Sequence, residues 1–311
     1  MVSEEEAANL GAFNMGPDAM ELYGSCDLML VVGSRLRGNE TRNNKMPLPR
    51  PLLQIDADAG QGGRNYPVDV FAHGDAADTL RRLLALLPET LDTDEALAFD
   101  IARLKAQAEG RLRDTLGPYT VVAEAISGAV GAGGNAWVRD VTISNSTYGN
   151  RYVRLSDPRQ GVHALGGGIG QGVAMGIGAA LASHGPKAIT LLGDGGTMLG
   201  LAEMITAVDE KAPLVYVLMN DQAYGVIKNI QDAQYDSRRH YSKVAVPEFG
   251  AFCGAIGMPH VKVDRVDAFE AALQAALATE GPRVIEVDMC AIGPFAEAFA
   301  GPPAGAAGKK E

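Results

Sequence analysis

Two continuous apolar runs constrain this chain more than anything else in it. "KAITLL" (187–192) stops at Gly193, Asp194, Gly195 and Gly196, and "PLVYVLM" (213–219) stops at Asn220 and Asp221. A run that is apolar at every position, rather than at alternate ones, suits a parallel strand buried on both faces. Parallel neighbours need a crossover between them, and "MLGLAEMITAVDE" (198–210) has the spacing of a helix. The chain is therefore committed to an α/β fold whose polar residues collect at strand ends.

The same alternation extends in both directions. Residues 16–25 read as a helix, 26–34, 51–58 and 68–76 as buried strands, and 77–87 as a helix. Residues 88–98 are polar and begin with Pro88, so they read as a linker. Helices follow at 99–116 and 118–130, then a strand at 135–144 ending in the polar turn "NSTYGN". "HALGGGIGQGVAMGIGAALAS" (163–183) reads as a Gly-rich turn running into a helix of small residues. Beyond Asn220 come a helix and strand within 249–263, a helix at 267–279 and a last strand at 282–290. The expected organisation is a partial Rossmann-like domain (1–87), the linker, a parallel-sheet domain with helices on both faces (99–300), and a disordered tail (301–311) with nothing to bury.

Composition excludes several classes of function. The net charge of −11, with no long Lys/Arg cluster, argues against nucleic acid and anionic membranes as partners. Cys26, Cys253 and Cys290 have no metal-binding spacing and fit a reducing compartment, so a cytoplasmic location is expected. No signal peptide and no membrane span is visible.

In open parallel sheets, ligands collect at the carboxyl ends of strands, where the next helices begin. The segments 144–150, 166–172 and 193–197 converge there if their strands are neighbours, and the end of 214–219 joins them. Asp194 and Asn220 offer hard oxygens, which suit Mg²⁺ together with a phosphate. Gly195, Gly196 and Thr197 start a helix, so their N–H groups point at an anion. A tight strand–helix turn would explain "GDGG" alone; the second strand ending at Asn220 favours the metal and diphosphate. "GGGIG" (166–170) does not fit a dinucleotide fingerprint, because Gln171 occupies the position of its third Gly.

The string "GDGG…AEMITAV…PLVYVLMNDQAYGVIKNIQ" resembles the thiamine diphosphate (ThDP)-dependent superfamily of 2-oxo acid decarboxylases and acetohydroxyacid synthases. The resemblance implies that Asp194, the Asn220 side chain and the Gln222 carbonyl bind Mg²⁺. It implies that Gly193, Gly195, Gly196 and Thr197 hold the diphosphate, and that Asn145, Ser146 and Thr147 close over it. Tyr224, Gly225 and Val226 would continue that rim. In the Gly turn, the Gly167 carbonyl would accept from the cofactor's amino group, with Gly168 beside it. Ile169 would prop the cofactor in its bent shape. His163 either faces the substrate or is an ordinary turn histidine, and Glu203 reads as structural. Ile227 and Ile230 would line the pocket under a mobile segment (236–241).

The resemblance also marks what these residues do not match. Relatives carry a pyrimidine-binding domain whose Glu activates the cofactor, and no residue here replaces it; Ile169, Gly167 and His163 are the residues left nearest the chemistry. A pyrimidine-domain partner chain and a homo- or hetero-oligomer are therefore expected. In "GSRLRGNETRN" a solvated loop is favoured over the FAD or ADP site found in some relatives. The implied activity is decarboxylation of a 2-oxo acid, or its carboligation to a second carbonyl compound as in acetolactate synthase. The alternatives are a non-catalytic ThDP-binding fragment and, less favoured, a nucleotide-dependent dehydrogenase.

Overall fold

The computed structural model describes residues 3–4, 6–90, 94, 96–183, 186–299 and 301. Apart from Gly301, the expected tail lies outside these residues, as do positions 91–93 and 95 of the expected linker. The chain divides into two compact units, a smaller one over Ala7–Ala108 and a larger one over Glu109–Gly301 that also takes in the described residues up to Glu6.

The smaller unit holds α1 (Pro17–Ser25), β1 (Met29–Val32), β2 (Leu52–Asp56), β3 (Val70–His73) and α2 (Ala76–Leu86). The strands form a parallel sheet in the order β1-β2-β3. Asp75 caps α2 by accepting the Asp78 N–H at 2.9 Å. Of the loop arginines, Arg37 pairs with Glu40, and Arg42 donates to the Met15 carbonyl at 2.9 Å.

A long helix, α3 (Ala96–Leu116), begins three residues before the expected start and runs across the boundary. The larger unit then contains α4 (Thr120–Gly131), β4 (Ala136–Arg139), β5 (Gly161–His163), α5 (Gly172–Ala182), β6 (Ala188–Gly193), α6 (Asp194–Gly200), α7 (Met204–Asp209), β7 (Leu214–Asn220), α8 (Gly225–Gln234), α9 (Phe249–Ala255), β8 (His260–Val263), α10 (Phe269–Leu277), β9 (Arg283–Asp288) and α11 (Met289–Ile292). Its six strands are all parallel, in the order β5-β4-β6-β7-β9-β8. Every residue of β6 and β7 is buried, which is why their sequences show no polar alternation. The two faces of the sheet carry separate cores. Val215 and Val217 pack with α4 and α10, whereas Leu214, Tyr216 and Leu218 pack with α5, α7 and α9.

Two local features differ from the sequence expectation. The strand expected at 135–144 stops at Arg139, because the Asp140 carboxylate turns back to accept the Val141 N–H at 2.7 Å. The chain then forms one π-helical turn, Asn145–Gly149. The edge strand β5 has three residues and no apolar run, so nothing in its pattern announced it.

Helix α5 lies close to the sheet because it is built of small residues. A Cβ at Gly176 would sit 2.6 Å from Thr190 Oγ1, whereas one at Gly178 meets nothing within 4 Å. Gly178→Ala is expected to stabilise the fold by about 0.5–1 kcal/mol through helix propensity. Gly176→Ala is expected to destabilise it, because overpacking costs about 1–3 kcal/mol and outweighs the same gain. Denaturant midpoints of the two variants should move in opposite directions; a common direction would show that α5 can lift off the sheet without cost.

Candidate functional site

The register Gly193↔Met219 makes the ends of β6 and β7 level, so the two polar strand ends leave the sheet side by side. The order β5-β4-β6-β7 also puts the ends of β4 and β5 next to them. All the strand ends singled out in the sequence therefore lie along one edge.

Asn220 continues the even-numbered face of β7 and meets Glu286 of β9. Its Nδ2 donates to Glu286 Oε1 at 2.8 Å, and its Oδ1 accepts the Gln222 N–H at 3.3 Å. Gln222 has a positive φ of 54°, which bends the chain sharply there. Glu286 Oε2 also lies 2.8 Å from His260 Nε2 on β8. Burial works against its ionisation, but the bonds with His260 and Asn220 outweigh that and hold the carboxyl below its ordinary value.

Asp221, between Asn220 and Gln222, is turned toward Asp194. Asp194 is 1% exposed. Its Oδ1 accepts the Gly195 N–H at 2.9 Å, and its buried Oδ2 has no hydrogen-bond donor. Burial, and then the Asp221 carboxylate, pushes the Asp194 carboxyl far above its ordinary value. Burial likewise raises Asp221, against the Ala223 N–H and Lys228. Two carboxylates desolvated against each other are a charge arrangement that a hard divalent cation neutralises.

The carbonyl expected at the metal, that of Gln222, accepts the Val244 N–H at 3.1 Å, and Tyr224 N–H donates to the Ser242 carbonyl at 2.8 Å. These two bonds flank the antiparallel bridge Ala223↔Lys243, and the Ala223 N–H goes to Asp221. Asn220 is bonded to Glu286 and the Gln222 carbonyl to Val244, and Asp221 is the side chain of this turn that faces Asp194. Among the described residues no group of three His, Cys, Asp or Glu forms a metal cluster.

The start of α6 is a tight cradle. A Cβ at Gly195 would lie 2.5 Å from the Tyr224 ring, and one at Gly196 would lie 3.0 Å from Asp140 Oδ2. The Thr197 hydroxyl donates to the Gly193 carbonyl at 2.9 Å, so it braces the turn. A Cβ at Gly225, the first residue of α8, would meet Asp221 Oδ2 at 2.5 Å. Val226, beside it, packs on the core.

The Gly turn is knotted by two side chains. Gly170 N–H donates to Asp140 Oδ2 at 2.9 Å, and Gln171 Nε2 donates to the Leu165 and Gly168 carbonyls at 2.9 and 3.0 Å. Gly167 has φ of +75°, which a side chain would oppose. Ile169 is 38% exposed and Leu165 76% exposed, so the turn presents apolar side chains outward. His163 ends β5, where partial burial and the Arg139 guanidinium push its imidazole below its ordinary value. Arg139 Nη1 donates to Asn145 Oδ1 at 3.3 Å. Ser146 donates its N–H to the Thr142 carbonyl, and the Thr147 hydroxyl donates to the Ile143 carbonyl at 3.1 Å. Ile227 is exposed on α8. The 236–241 segment is tied to that helix by Arg239–Asp232 at 2.6 Å and by Gln231 Nε2 donating to the His240 carbonyl at 3.0 Å. Glu203 accepts the Thr206 hydroxyl at 3.2 Å.

Sequence reading missed Asp221, Asp140 and Glu286. Asp140 and Asp221 both end apolar strands, the same signal that marked Asp194. Glu286 gave no signal beyond being a lone acid within an apolar run.

Comparison with known proteins followed the same division of the chain. A family model described as the C-terminal TPP binding domain of thiamine pyrophosphate enzymes matches residues 142–287, and the central-domain model of the same enzymes matches residues 1–83. Among curated proteins, a "Probable 2-ketoarginine decarboxylase" of Pseudomonas aeruginosa is 28% identical over 287 residues, covering 90% of this chain and 50% of the relative. The acetolactate synthase large subunit of Haemophilus influenzae is 26% identical, with 85% of this chain and 47% of the relative covered. Benzoylformate decarboxylase of P. aeruginosa is 26% identical, with 86% and 49% covered. The chain spans about half the length of the curated relatives it matches.

Proposed function

This chain belongs to the thiamine pyrophosphate enzyme family, and on that premise we propose that its larger unit anchors ThDP through Mg²⁺, in an enzyme that decarboxylates a 2-oxo acid or joins it to a second carbonyl compound. One observation supports the anchor above all: the buried Asp194 carboxylate faces the half-buried Asp221 carboxylate, and Asp194 Oδ2 has no hydrogen-bond partner. The residues fit the group. Asp194 and Asp221 supply the metal's protein oxygens, with Asn220 and Gln222 shaping the turn between them. Only glycine fits at 195 and 196, where the Tyr224 ring and the Asp140 carboxylate close in, so this turn offers a diphosphate backbone rather than side chains.

Bound ThDP would supply an electron sink, its thiazolium, for the bonding pair left behind when the substrate's carboxylate leaves as CO₂. The chain's own residues bind and orient. The Gly167 carbonyl and the Ile169 side chain sit on a turn held by Asp140 and Gln171. Tyr224, Gly225 and Val226 form one rim, and Asn145, Ser146 and Thr147 the other. His163, its imidazole biased toward the neutral form, is the group of this turn able to exchange a proton. In this reading the residue that activates the cofactor ring lies in a pyrimidine-binding segment that residues 1–311 do not include. The relatives' names include decarboxylases and a synthase, so both outcomes stay within the proposal. Among the described residues, no helix is long and apolar enough to cross a membrane.

Calorimetric titration of ThDP into the chain, with and without Mg²⁺, tests the anchor. Binding should require Mg²⁺ and disappear in Asp194→Ala. Binding that ignores Mg²⁺, or that survives the substitution, would overturn it.

A further inference from the structure

Glu286 is a carboxylate buried to 3% exposure on the face of the sheet occupied by Leu214, Tyr216 and Leu218. A charge in that position is costly, and a side chain of similar volume without charge would pack there at lower cost. What a carboxylate does that an amide cannot is accept hydrogen bonds only. The Asn220 side chain can flip its oxygen and nitrogen, but with Glu286 at 2.8 Å only Nδ2 can face β9. Oδ1 is then forced toward the Gln222 N–H, where it lies at 3.3 Å. These two contacts bracket Asp221 and stabilise the positive φ of Gln222. His260, at 2.8 Å on the outer strand β8, holds the second Glu286 oxygen and so fixes the plane of the carboxylate.

We infer that Glu286 is a positioning residue for the metal loop, which acts through the Asn220 amide to lock the turn that delivers Asp221 to Asp194. The inference rests on the metal site proposed above. It assigns Asn220 and Glu286 a brace between the ends of β7 and β9, in place of direct ligation by Asn220.

The experiment has two arms on the 311-residue chain. In the first, Mg²⁺ affinity in the presence of ThDP is measured by calorimetry for Glu286→Met, Glu286→Gln, Asn220→Leu and the Glu286→Met/Asn220→Leu pair. Glu286→Met should weaken Mg²⁺ binding roughly 10- to 100-fold, the range seen when groups supporting metal ligands are removed. Glu286→Gln, which keeps one acceptor but adds a donor that can turn toward Asn220, should fall between wild type and Glu286→Met. Because Glu286 acts through Asn220, the double variant should lose no more than the worse single one. Additive losses, or an unchanged affinity in Glu286→Met, would overturn the inference.

The second arm needs no cofactor. Amide hydrogen exchange over residues 220–224 should speed up about tenfold or more in metal-free Glu286→Met, with protection elsewhere in β7 and β9 unchanged. Unchanged exchange at 220–224 overturns the brace, and so does a loss of protection throughout both strands. Failure of wild type to bind Mg²⁺ and ThDP would instead sink the proposed function and leave the exchange result to decide whether Glu286 fixes the turn.

Discussion

In the metal-free chain, Asp194→Asn raises stability above that of wild type at pH 8 and removes most of the decline in stability between pH 5 and pH 8. The reason is the direction in which the fold moves the Asp194 carboxyl. Its pKa rises from an ordinary 3.8 to about 7, first because it is buried and second because Asp221 lies beside it. The folded state therefore holds a proton that the unfolded chain releases above pH 4. A group of this kind favours the fold most at low pH, and that contribution is lost as pH climbs toward and past 7. Each tenfold gain in proton affinity on folding corresponds to about 1.4 kcal/mol, so the wild-type decline should amount to about 2–4 kcal/mol. Surface carboxylates such as Asp157, held at about 2 by Arg159, finish titrating well below this window and do not confuse it. Urea denaturation at pH 5, 6, 7 and 8 reads the effect. Saturating Mg²⁺ with ThDP should reverse the order, stabilising wild type at pH 8 and leaving Asp194→Asn unmoved. The same pH slope in both proteins would mean that the carboxylate pair is already neutralised by the fold.

Much of this site was legible in the sequence, and the reasons for the failures are physical. Strands β6 and β7 announced themselves because every position is buried, and Asp194 stood out because an acid cannot continue such a run. The second carboxylate was harder to find. Asn220 and Asp221 are adjacent, and one residue of offset sends a side chain to the opposite face of a strand. Only the partner of Asn220 decides which of them faces Asp194, and that partner, Glu286, is 66 positions away. The partner of Gln222 was hidden for a related reason. Its carbonyl is held by Val244 through a bridge between two loops, a contact with no local signature. The Gly turn was read correctly as a turn, but what holds it is a residue from a different strand end.

That residue carries the second large effect: Asp140→Ala should destabilise the larger unit by about 3–5 kcal/mol and abolish ThDP binding. Asp140 is fully buried and accepts the N–H groups of Val141 at 2.7 Å and Gly170 at 2.9 Å, with Gln171 and Gly172 also bonded to it. Alanine leaves these donors without partners in a space too tight to admit rearrangement, since a Cβ at Gly172 would already lie 2.7 Å from Asp140 Cβ. The same carboxylate borders Gly196 at the start of α6, so it ties the Gly turn to the cradle beside Asp194. Losing it frees the turn that carries Gly167 and Ile169 from the start of α6 even where the rest of the fold survives. Asp140→Asn separates the two consequences. It keeps one acceptor oxygen, so stability should fall by only about 1–2 kcal/mol. ThDP affinity should fall more than stability predicts, because the turn is then held by fewer bonds than its glycines need. Denaturation and calorimetry on the same preparations compare the two losses. Wild-type affinity in a folded Asp140→Asn would show that Gln171 alone holds the turn, and would return Asp140 to the role of a buried strand cap.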